Sequence, residues 1–325
     1  MTSMKQMDKQ SKIYVAGDTG LVGSAIVREL RRQGYGNLLI MPHKELDLRN
    51  QQEVNDWFKK ERPEYVFLAA ATVGGVVVND RFPGTFFYDN LAIGMNAIHA
   101  AHENGVKKLL YFGSNCIYPR AAPQPYKEES LLTGLPEKTN EAYAVAKIAC
   151  VKMCEFYNRQ YGTDFISCMP CSAYGPGDNF DPEGSHVVPA LIRKFHEAKG
   201  SGASEVVMWG TGKPYREFIY IDDIAKAAIF LMNQYSGNEP VNIGTGAEYT
   251  IGELAEIIRR VVGFEGEIVN DTSKPDGTPK KLLDSSKIFS LGWRPETDFE
   301  TGIRITYEDF VKNKQKHIKK GGKLK

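Results

Sequence analysis

Short apolar runs alternate with longer amphipathic stretches over the first two-thirds of the chain. Residues 12–16, Lys-Ile-Tyr-Val-Ala, form a β-rich run that ends in a glycine-containing turn. Beyond the turn, Ala25, Ile26, Val27 and Leu30 recur at helical spacing. The runs 38–41, 64–71, 106–112 and 165–169 read as further strands, with 64–71 taken as the fourth. Between them, Val54, Trp57 and Phe58 mark one helix, and 143–161 reads as another. A third, 88–103, turns Asn90, Ile93, Ala97, Ile98 and Ala101 inward. Strand and helix alternating in this way predict parallel strands joined by helical crossovers.

Past residue 169 the pattern loosens. Gly, Pro, Asp and Asn crowd 175–184, which reads as the passage into a second lobe. A helix opens near His186 and carries Leu191, Ile192, Lys194 and Phe195. Residues 206–209 are extended, 216–223 returns towards the sheet, 241–244 is a strand, 251–262 a helix and 274–279 a turn. The predicted fold class is α/β, a Rossmann-type doubly wound parallel sheet with a smaller C-terminal α/β substrate-binding lobe. Residues 1–172 form the dinucleotide-binding domain, with 215–245 returning to it; 173–214 and 246–325 form the lobe. The lysine-rich tail from Lys312 reads as a solvated, frayed end. No internal repeat is visible.

The 325 residues carry 41 basic and 40 acidic side chains, a net charge of +1, which gives no support to nucleic-acid binding. No apolar run approaches the roughly 20 residues that span a bilayer, and residues 1–12 lack a signal peptide's apolar segment. The expectation is a soluble cytoplasmic protein. Five cysteines, Cys116, Cys150, Cys154, Cys168 and Cys171, are an odd number in a long chain without a secretion signal, so reduced thiols are expected. The Cys150/Cys154 pair lies on a predicted helix and Cys168/Cys171 straddles a strand end, neither being the knuckle turn that structural zinc uses, so no metal is expected.

Candidate chemistry begins at the first turn. Gly17, Gly20 and Gly23, with Thr19, Leu21 and Val22 between them, allow a tight turn and close approach of a pyrophosphate to a helix N-terminus. Nicotinamide sites that prefer NAD place an acid after the second strand, to hold the ribose 2′-hydroxyl. This chain has Pro42-His43-Lys44 there, a cationic end suited to a 2′-phosphate, so NADP(H) is the predicted cofactor. Asp47 can reach the adenine edge, and the small side chains of Ala69, Ala70 and Ala71 leave room for a ribose. Phe112 and Gly113 end a strand from which Ser114 projects into the crevice where such sheets bind ligands. Tyr143 and Lys147, four apart on a helix, share a face, and an ammonium beneath a phenol favours its ionised form. Such a pair alone is ordinary surface chemistry; its position after a glycine turn and a strand ending in Ser gives it weight.

That order of motifs resembles the Ser/Tyr/Lys apparatus of the short-chain dehydrogenase/reductase superfamily, and the G-x-x-G-x-x-G spacing its extended branch. From about 12 to 312 the chain is similar to the GDP-L-fucose synthase family, the GDP-4-keto-6-deoxymannose 3,5-epimerase-4-reductases. The matching stretches are Gly113-Ser-Asn-Cys-Ile-Tyr-Pro119, Asn140-Glu-Ala-Tyr-Ala-Val-Ala-Lys147, Tyr174-Gly-Pro-Gly-Asp-Asn-Phe180, Ser185-His-Val-Val-Pro-Ala-Leu191, Trp209-Gly-Thr-Gly212 with Arg216-Glu-Phe218, and the run from Lys274 to Lys281. The resemblance implies Ser114, Tyr143 and Lys147 as the reductase trio and Cys116 and His186 as the acid/base pair for epimerisation. It places Asn115, Lys194, Trp209, Arg216 and Asp276 against a GDP-sugar, and Pro170, Ser172, Ala173 and His186 near the nicotinamide. It also implies a homodimer built on the helices 88–103 and 143–161.

A ketone at C4 acidifies the hydrogens at C3 and C5, so one carbonyl serves two epimerisations if two groups reach opposite faces of the ring. Two departures from the family pattern stand out. Asp18-Thr19 replaces a basic residue common in the glycine turn, and Cys171-Ser172-Ala173 replaces a segment with Asn at the strand exit. A 4-reductase of GDP-sugars without epimerisation, such as one acting on a 4-keto-heptose, is therefore the alternative. A 4,6-dehydratase fits less well, because Asn115-Cys116 stands where that type carries Asp-Glu. A cofactor-sensing protein fits less well still, because the Tyr143/Lys147 pair is kept.

Overall fold

The computed structural model describes residues 6–182, 184–274 and 276–319. Its central layer is a six-stranded sheet, all of whose neighbouring strands run parallel. Strand β1 (Ile13–Ala16) leads through α1 (Leu21–Arg32) to β2 (Leu38–Leu39), then through α2 (Gln51–Glu61) to β3 (Tyr65–Leu68). A short helix, α3 (Val76–Arg81), and the long α4 (Pro83–Glu103) precede β4 (Lys108–Phe112). Helix α5 (Glu141–Tyr161) then leads to β5 (Phe165–Pro170) and β6 (Ser172–Tyr174). The strands from β1 to β5, apart from β2, are buried along nearly their whole length, as a sheet covered on both faces requires.

The second half adds α6 (Val187–Ser201), β7 (Glu205–Trp209), β8 (Tyr215–Arg216), β9 (Phe218–Tyr220), α7 (Ile221–Gln234) and β10 (Val241–Ile243). It continues with β11 (Tyr249–Thr250), α8 (Ile251–Val262), β12 (Glu267–Asp271), β13 (Lys280–Lys281), α9 (Ser286–Ser290) and α10 (Phe299–Lys319). The sheet order is β10-β5-β4-β3-β1-β2. Helix α1 packs on α7, and α4 packs on both α2 and α5. The smaller strands pair among themselves: β7 with β12, β8 with β11 and β13, and β6 with β9.

Two apolar cores result. The larger surrounds the sheet and includes Phe67, Leu110, Ile166 and Ile243. The smaller gathers Tyr174, Phe180, Ile192, Phe195, Leu254, Ile258 and Phe299. Each fully buried Phe, Leu or Ile contributes roughly 1.5–3 kcal/mol by leaving water. Leu283, Ile288 and Trp293, in the stretch assigned from sequence to the lobe, pack into the larger core instead.

Other expectations need correction. The second strand is limited to Leu38–Leu39, and β3 is the third strand, because 46–48 forms none. Helix α4 starts at Pro83, a residue suited to the first turn. The stretch 216–223 is extended only as far as Tyr220; β9 pairs with β6 outside the main sheet, and α7 begins at Ile221. Asp222 and Asp223 sit in that helix's first turn, where its positive end favours them. The lysine-rich stretch from 312 continues α10 to Lys319, across a kink at Asn313, while 320–325 lie outside the described residues.

Candidate active site

The carboxyl ends of β1, β3, β4 and β5 face one edge of the sheet, and strand order reverses between β1 and β3. Such a reversal opens a crevice for a ligand. At its floor Gly17 has φ +85°, and a Cβ there would stand 2.8 Å from the backbone of Ala70. A Cβ at Gly23 would stand 2.1 Å from the carbonyl oxygen of Gly17. Both positions are closed to any side chain, which explains the two glycines, Gly17 packing against the backbone of Ala69 and Ala70. Gly20 caps α1 without a side-chain hydrogen bond. The first N–H groups of α1, from Leu21, Val22 and Gly23, therefore present a donor set for an anion at the helix's positive end. This cradle fits a dinucleotide's pyrophosphate; Thr19 is exposed beside it.

His43 and Lys44 are both exposed beyond β2. His43 Nδ1 lies 3.9 Å from the Asp47 carboxylate. Asp47 itself is gripped by Arg49, with Nη2 2.8 Å from Oδ2, and this contact holds its carboxyl below the usual range. Its expected contact with adenine therefore competes with an internal ion pair. Arg49 also reaches Asp89 at 3.2 Å.

Beyond Ala71, the N–H of Thr72 donates to Asn90 Oδ1 at 3.2 Å, and Asn90 Nδ2 donates back to the Thr72 carbonyl at 2.9 Å. Gly75 N–H donates to the carbonyl of Gly184 at 3.1 Å. The loop after β3 is thus stitched at one end to α4 and at the other to the segment leading into α6.

At the end of β4, Gly113 leaves no space for a Cβ, which would fall 2.3 Å from Met169 Sδ. Ser114 caps a 3-10 turn (Asn115–Ile117), its Oγ accepting the Cys116 N–H at 3.2 Å. Tyr143 meets the same place from α5. Burial pushes its phenol well above the ordinary range; negative charge on Cys116 adds to this, and a side-chain interaction with Ser114 opposes it. Lys147 is buried, with Nζ donating to the Phe112 carbonyl at 2.8 Å. Nζ stands 4.8 Å from the centre of the Tyr111 ring and 5.8 Å from that of Tyr143. Burial pulls its pKa from 10.5 to about 8. The expectation that this ammonium ionises the phenol is corrected: Lys147 binds a backbone carbonyl, and desolvation governs Tyr143.

Cys116 is the one cysteine of the five that is not buried; all five are free thiols. Its Sγ lies 3.6 Å from Asn115 Oδ1 and 3.9 Å from Lys281 Nζ. His186 caps α6. Its side chain keeps access to solvent, yet crowding by protein lowers its pKa. The 72–75 loop links it to Tyr143: Gly75 abuts Ser185, Gly74 abuts Phe86, and the Phe86 and Tyr143 rings meet edge-on at 6.5 Å. Pro170, Ser172 and Ala173 are half-buried where β5 passes into β6.

The remaining predicted residues lie towards the smaller core. Arg216 is half-buried, and its Nη1 donates to the carbonyls of Tyr215 and Thr278, both at 2.7 Å. Burial lowers its pKa, while charge on Cys116, Tyr126 and Asp276 raises it. Trp209 ends β7 with 63% of its surface exposed, and Lys274 Nζ stands 5.8 Å from its ring centre. Lys194 Nζ donates to the Val207 carbonyl at 2.6 Å. Asp276 accepts from Thr211 N–H at 2.8 Å and Oγ1 at 2.7 Å, so it closes the turn beside Trp209.

Sequence reasoning missed Arg49, Glu217 and Lys281. Glu217 and Lys281 carried a signal, each as part of a matching stretch, whereas Arg49 carried none. Among the described residues no group of three His, Cys, Asp or Glu side chains could hold a metal, and no helix is long and apolar enough to cross a membrane.

Residues 13–244 match the model of the NAD dependent epimerase/dehydratase family. The chain is 57% identical to GDP-L-fucose synthase 1 of Arabidopsis thaliana over 306 residues, 94% of this chain and 95% of that protein. Among solved structures it resembles a GDP-6-OMe-4-keto-L-xylo-heptose reductase from C. jejuni (TM-score 0.91, 41% identity, 95% of this chain and 100% of that one). A GDP-L-fucose synthetase from Naegleria fowleri bound to NADP is similar too (TM-score 0.90, 32% identity, 97% and 98% covered). The chain belongs to the NAD dependent epimerase/dehydratase family and, within it, to the GDP-L-fucose synthases.

Proposed function

We propose that this chain converts GDP-4-keto-6-deoxy-D-mannose to GDP-L-fucose, epimerising C3 and C5 and then reducing the C4 ketone. The observation that carries this reading is the convergence of Ser114, Cys116 and Tyr143 at one strand end, beside a glycine cradle. A reductase needs the first and third of these; a thiol open to the same crevice adds a group that can exchange protons on carbon.

In this reading Ser114 and Tyr143 hydrogen-bond the C4 oxygen, which polarises the ketone and stabilises each enolate in turn. Cys116 and His186 remove and return protons at C3 and C5 from opposite faces. The cofactor is NADP(H), which supplies the hydride for C4. Gly17, Gly20 and Gly23 hold its pyrophosphate, His43 and Lys44 its 2′-phosphate, and Lys147 its nicotinamide ribose. Tyr143 delivers the proton to the C4 oxygen; the burial that raises its pKa keeps that proton in place until the alkoxide forms. Arg216 and Lys194 hold the diphosphate, and Trp209, widely exposed, offers a face for guanine.

Residues 1–172 with 215–245 serve the cofactor and the lobe serves the sugar nucleotide. Phe87, Tyr88 and Met95 on α4, and Val145, Phe156 and Tyr161 on α5, are exposed apolar side chains on two helices that pack together. Their exposure supports a homodimer through these helices. We place the protein in the cytoplasm, in keeping with its free thiols. The similarity to a heptose reductase favours one second reading, a GDP-4-keto-sugar reductase without epimerisation. Incubation with NADPH and GDP-4-keto-6-deoxymannose, followed by identification of the sugar, tests the choice: GDP-L-fucose supports the first reading, and a product reduced at C4 but unchanged at C3 and C5 supports the second.

A further inference from the structure

Strand β13 brings a cation to the thiol from a part of the chain 165 residues away. It pairs parallel with β8, setting Lys281 beside Arg216. Glu217 pins this arrangement from below. It is 1% exposed, and its carboxylate accepts N–H groups from Thr245 (2.7 Å), Gly246 (2.8 Å) and Leu283 (2.9 Å). A further tie comes from Tyr126, whose N–H donates to the Leu282 carbonyl at 2.8 Å. Before Lys281, the Tyr215 N–H donates to the Pro279 carbonyl at 2.8 Å, so the backbone is held on both sides of Lys281, and its Nζ stands 3.9 Å from Cys116 Sγ.

We propose that Lys281 is a positioning residue for proton transfer at Cys116, its ammonium stabilising negative charge on the sulfur. The charged and titratable groups facing this thiol are Lys281 from β13, Arg216 from β8, Tyr126 from the segment before α5, and Tyr143 from α5. Two of these are cations and neither Tyr carries charge near neutrality, so negative charge placed on the sulfur during proton transfer would meet two positive groups. Arg216 already donates to two carbonyls, whereas the Nζ of Lys281 is directed at the sulfur. When the sulfur takes a proton from carbon, the C–H pair moves into the enolate and an S–H bond forms. When it gives a proton up, the charge returns to sulfur beside the same ammonium. Lys281 thus lowers the cost of the charged state in either direction without touching the sugar carbon.

This inference rests on the proposed chemistry, but its test needs neither sugar nor cofactor. Iodoacetamide alkylates the thiolate, forming an S–C bond and releasing iodide. Cys116 is the only cysteine that is not buried, and a Cys116→Ser variant identifies its label. The rate is measured at pH 7 and at pH 10 for the native protein, Lys281→Met, Lys281→Gln and Lys281→Arg. The ratio of the two rates removes any change in access. The expected result is a pH 7 to pH 10 ratio about 3- to 30-fold lower in both neutral variants and preserved in Lys281→Arg. A native ratio in either folded neutral variant, or an equal loss in Lys281→Arg, would overturn the proposal.

Discussion

The ammonium of Lys147 and the carbonyl of Phe112 are 2.8 Å apart, a hydrogen bond that joins α5 to the last residue of β4. It holds the two elements bearing Tyr143 and Ser114 in one register. It also leaves the lysine buried against a carbonyl rather than a carboxylate, which is why its pKa falls to about 8.

Burial favours the neutral amine, so the protonated fraction of Lys147 in the free enzyme falls as pH rises through about 8. If the charged form is the active one, kcat/KM for NADPH declines above that pH, by about tenfold per pH unit. Initial rates between pH 6.5 and 9.5 check this. A flat profile across that range would contradict it.

Replacing Tyr143 by Phe removes the O–H while keeping the ring that meets Phe86. Ketone reduction is expected to fall by about 10²- to 10⁴-fold. Exchange of sugar C–H protons with solvent, which retains Ser114 and Cys116, falls less. Parallel measurement of NADPH oxidation and deuterium uptake separates the two; equal losses in both would assign Tyr143 to enolate stabilisation alone.

Lys44 is exposed just beyond β2, and it is the proposed contact for a 2′-phosphate. Lys44→Ala is expected to raise KM for NADPH by about 5- to 30-fold, the equivalent of roughly 1–2 kcal/mol, and to leave NADH unchanged. Steady-state kinetics with both cofactors decide, and an equal effect on the two would move the phosphate contact elsewhere.

Asp178 is buried in the loop after β6. One of its oxygens accepts the Asn179 N–H at 2.7 Å; the other has no hydrogen-bond partner. Burial raises its pKa from 3.8 to about 7. The folded state therefore binds the proton more tightly than the unfolded one, so this group's contribution to stability falls as pH rises from about 4 to about 7. Asp178→Asn should be more stable than the native protein at pH 8, by on the order of 1.4 kcal/mol for every tenfold by which folding tightens the carboxyl's hold on its proton, and show little advantage at pH 4. Urea unfolding at both values measures this; an advantage independent of pH would refute the buried charge.

Much of this architecture was legible because it depends on local chemistry. Gly17, Gly20 and Gly23 announce a tight turn, closed to side chains at Gly17 and Gly23, and α8 is bounded as its apolar spacing predicts, with Thr250 and Glu253 forming a capping box. Tyr143 and Lys147 were readable as one face of α5. What escaped depends on the approach of distant segments. Lys281 reaches Cys116 only because Glu217 and Tyr126 fix β13. Asp47 is claimed by Arg49, a pairing that spacing alone does not reveal. Helix α3 opens with three consecutive valines, which have low helix propensity, and forms where Gly75 is tied to Gly184. Burial of Tyr143 and Lys147 outweighs the pairwise charge effect that their four-residue spacing suggested.

In the proposed reaction Cys116 and Tyr143 act on one sugar ring. Its most direct test is a reaction in deuterium oxide with NADPH and GDP-4-keto-6-deoxymannose, run to completion and read by NMR. The expected product is GDP-L-fucose carrying deuterium at both C3 and C5, with both labels lost in Cys116→Ser. A product reduced at C4 with hydrogen retained at C3 and C5, or labelling that survives in Cys116→Ser, would contradict it.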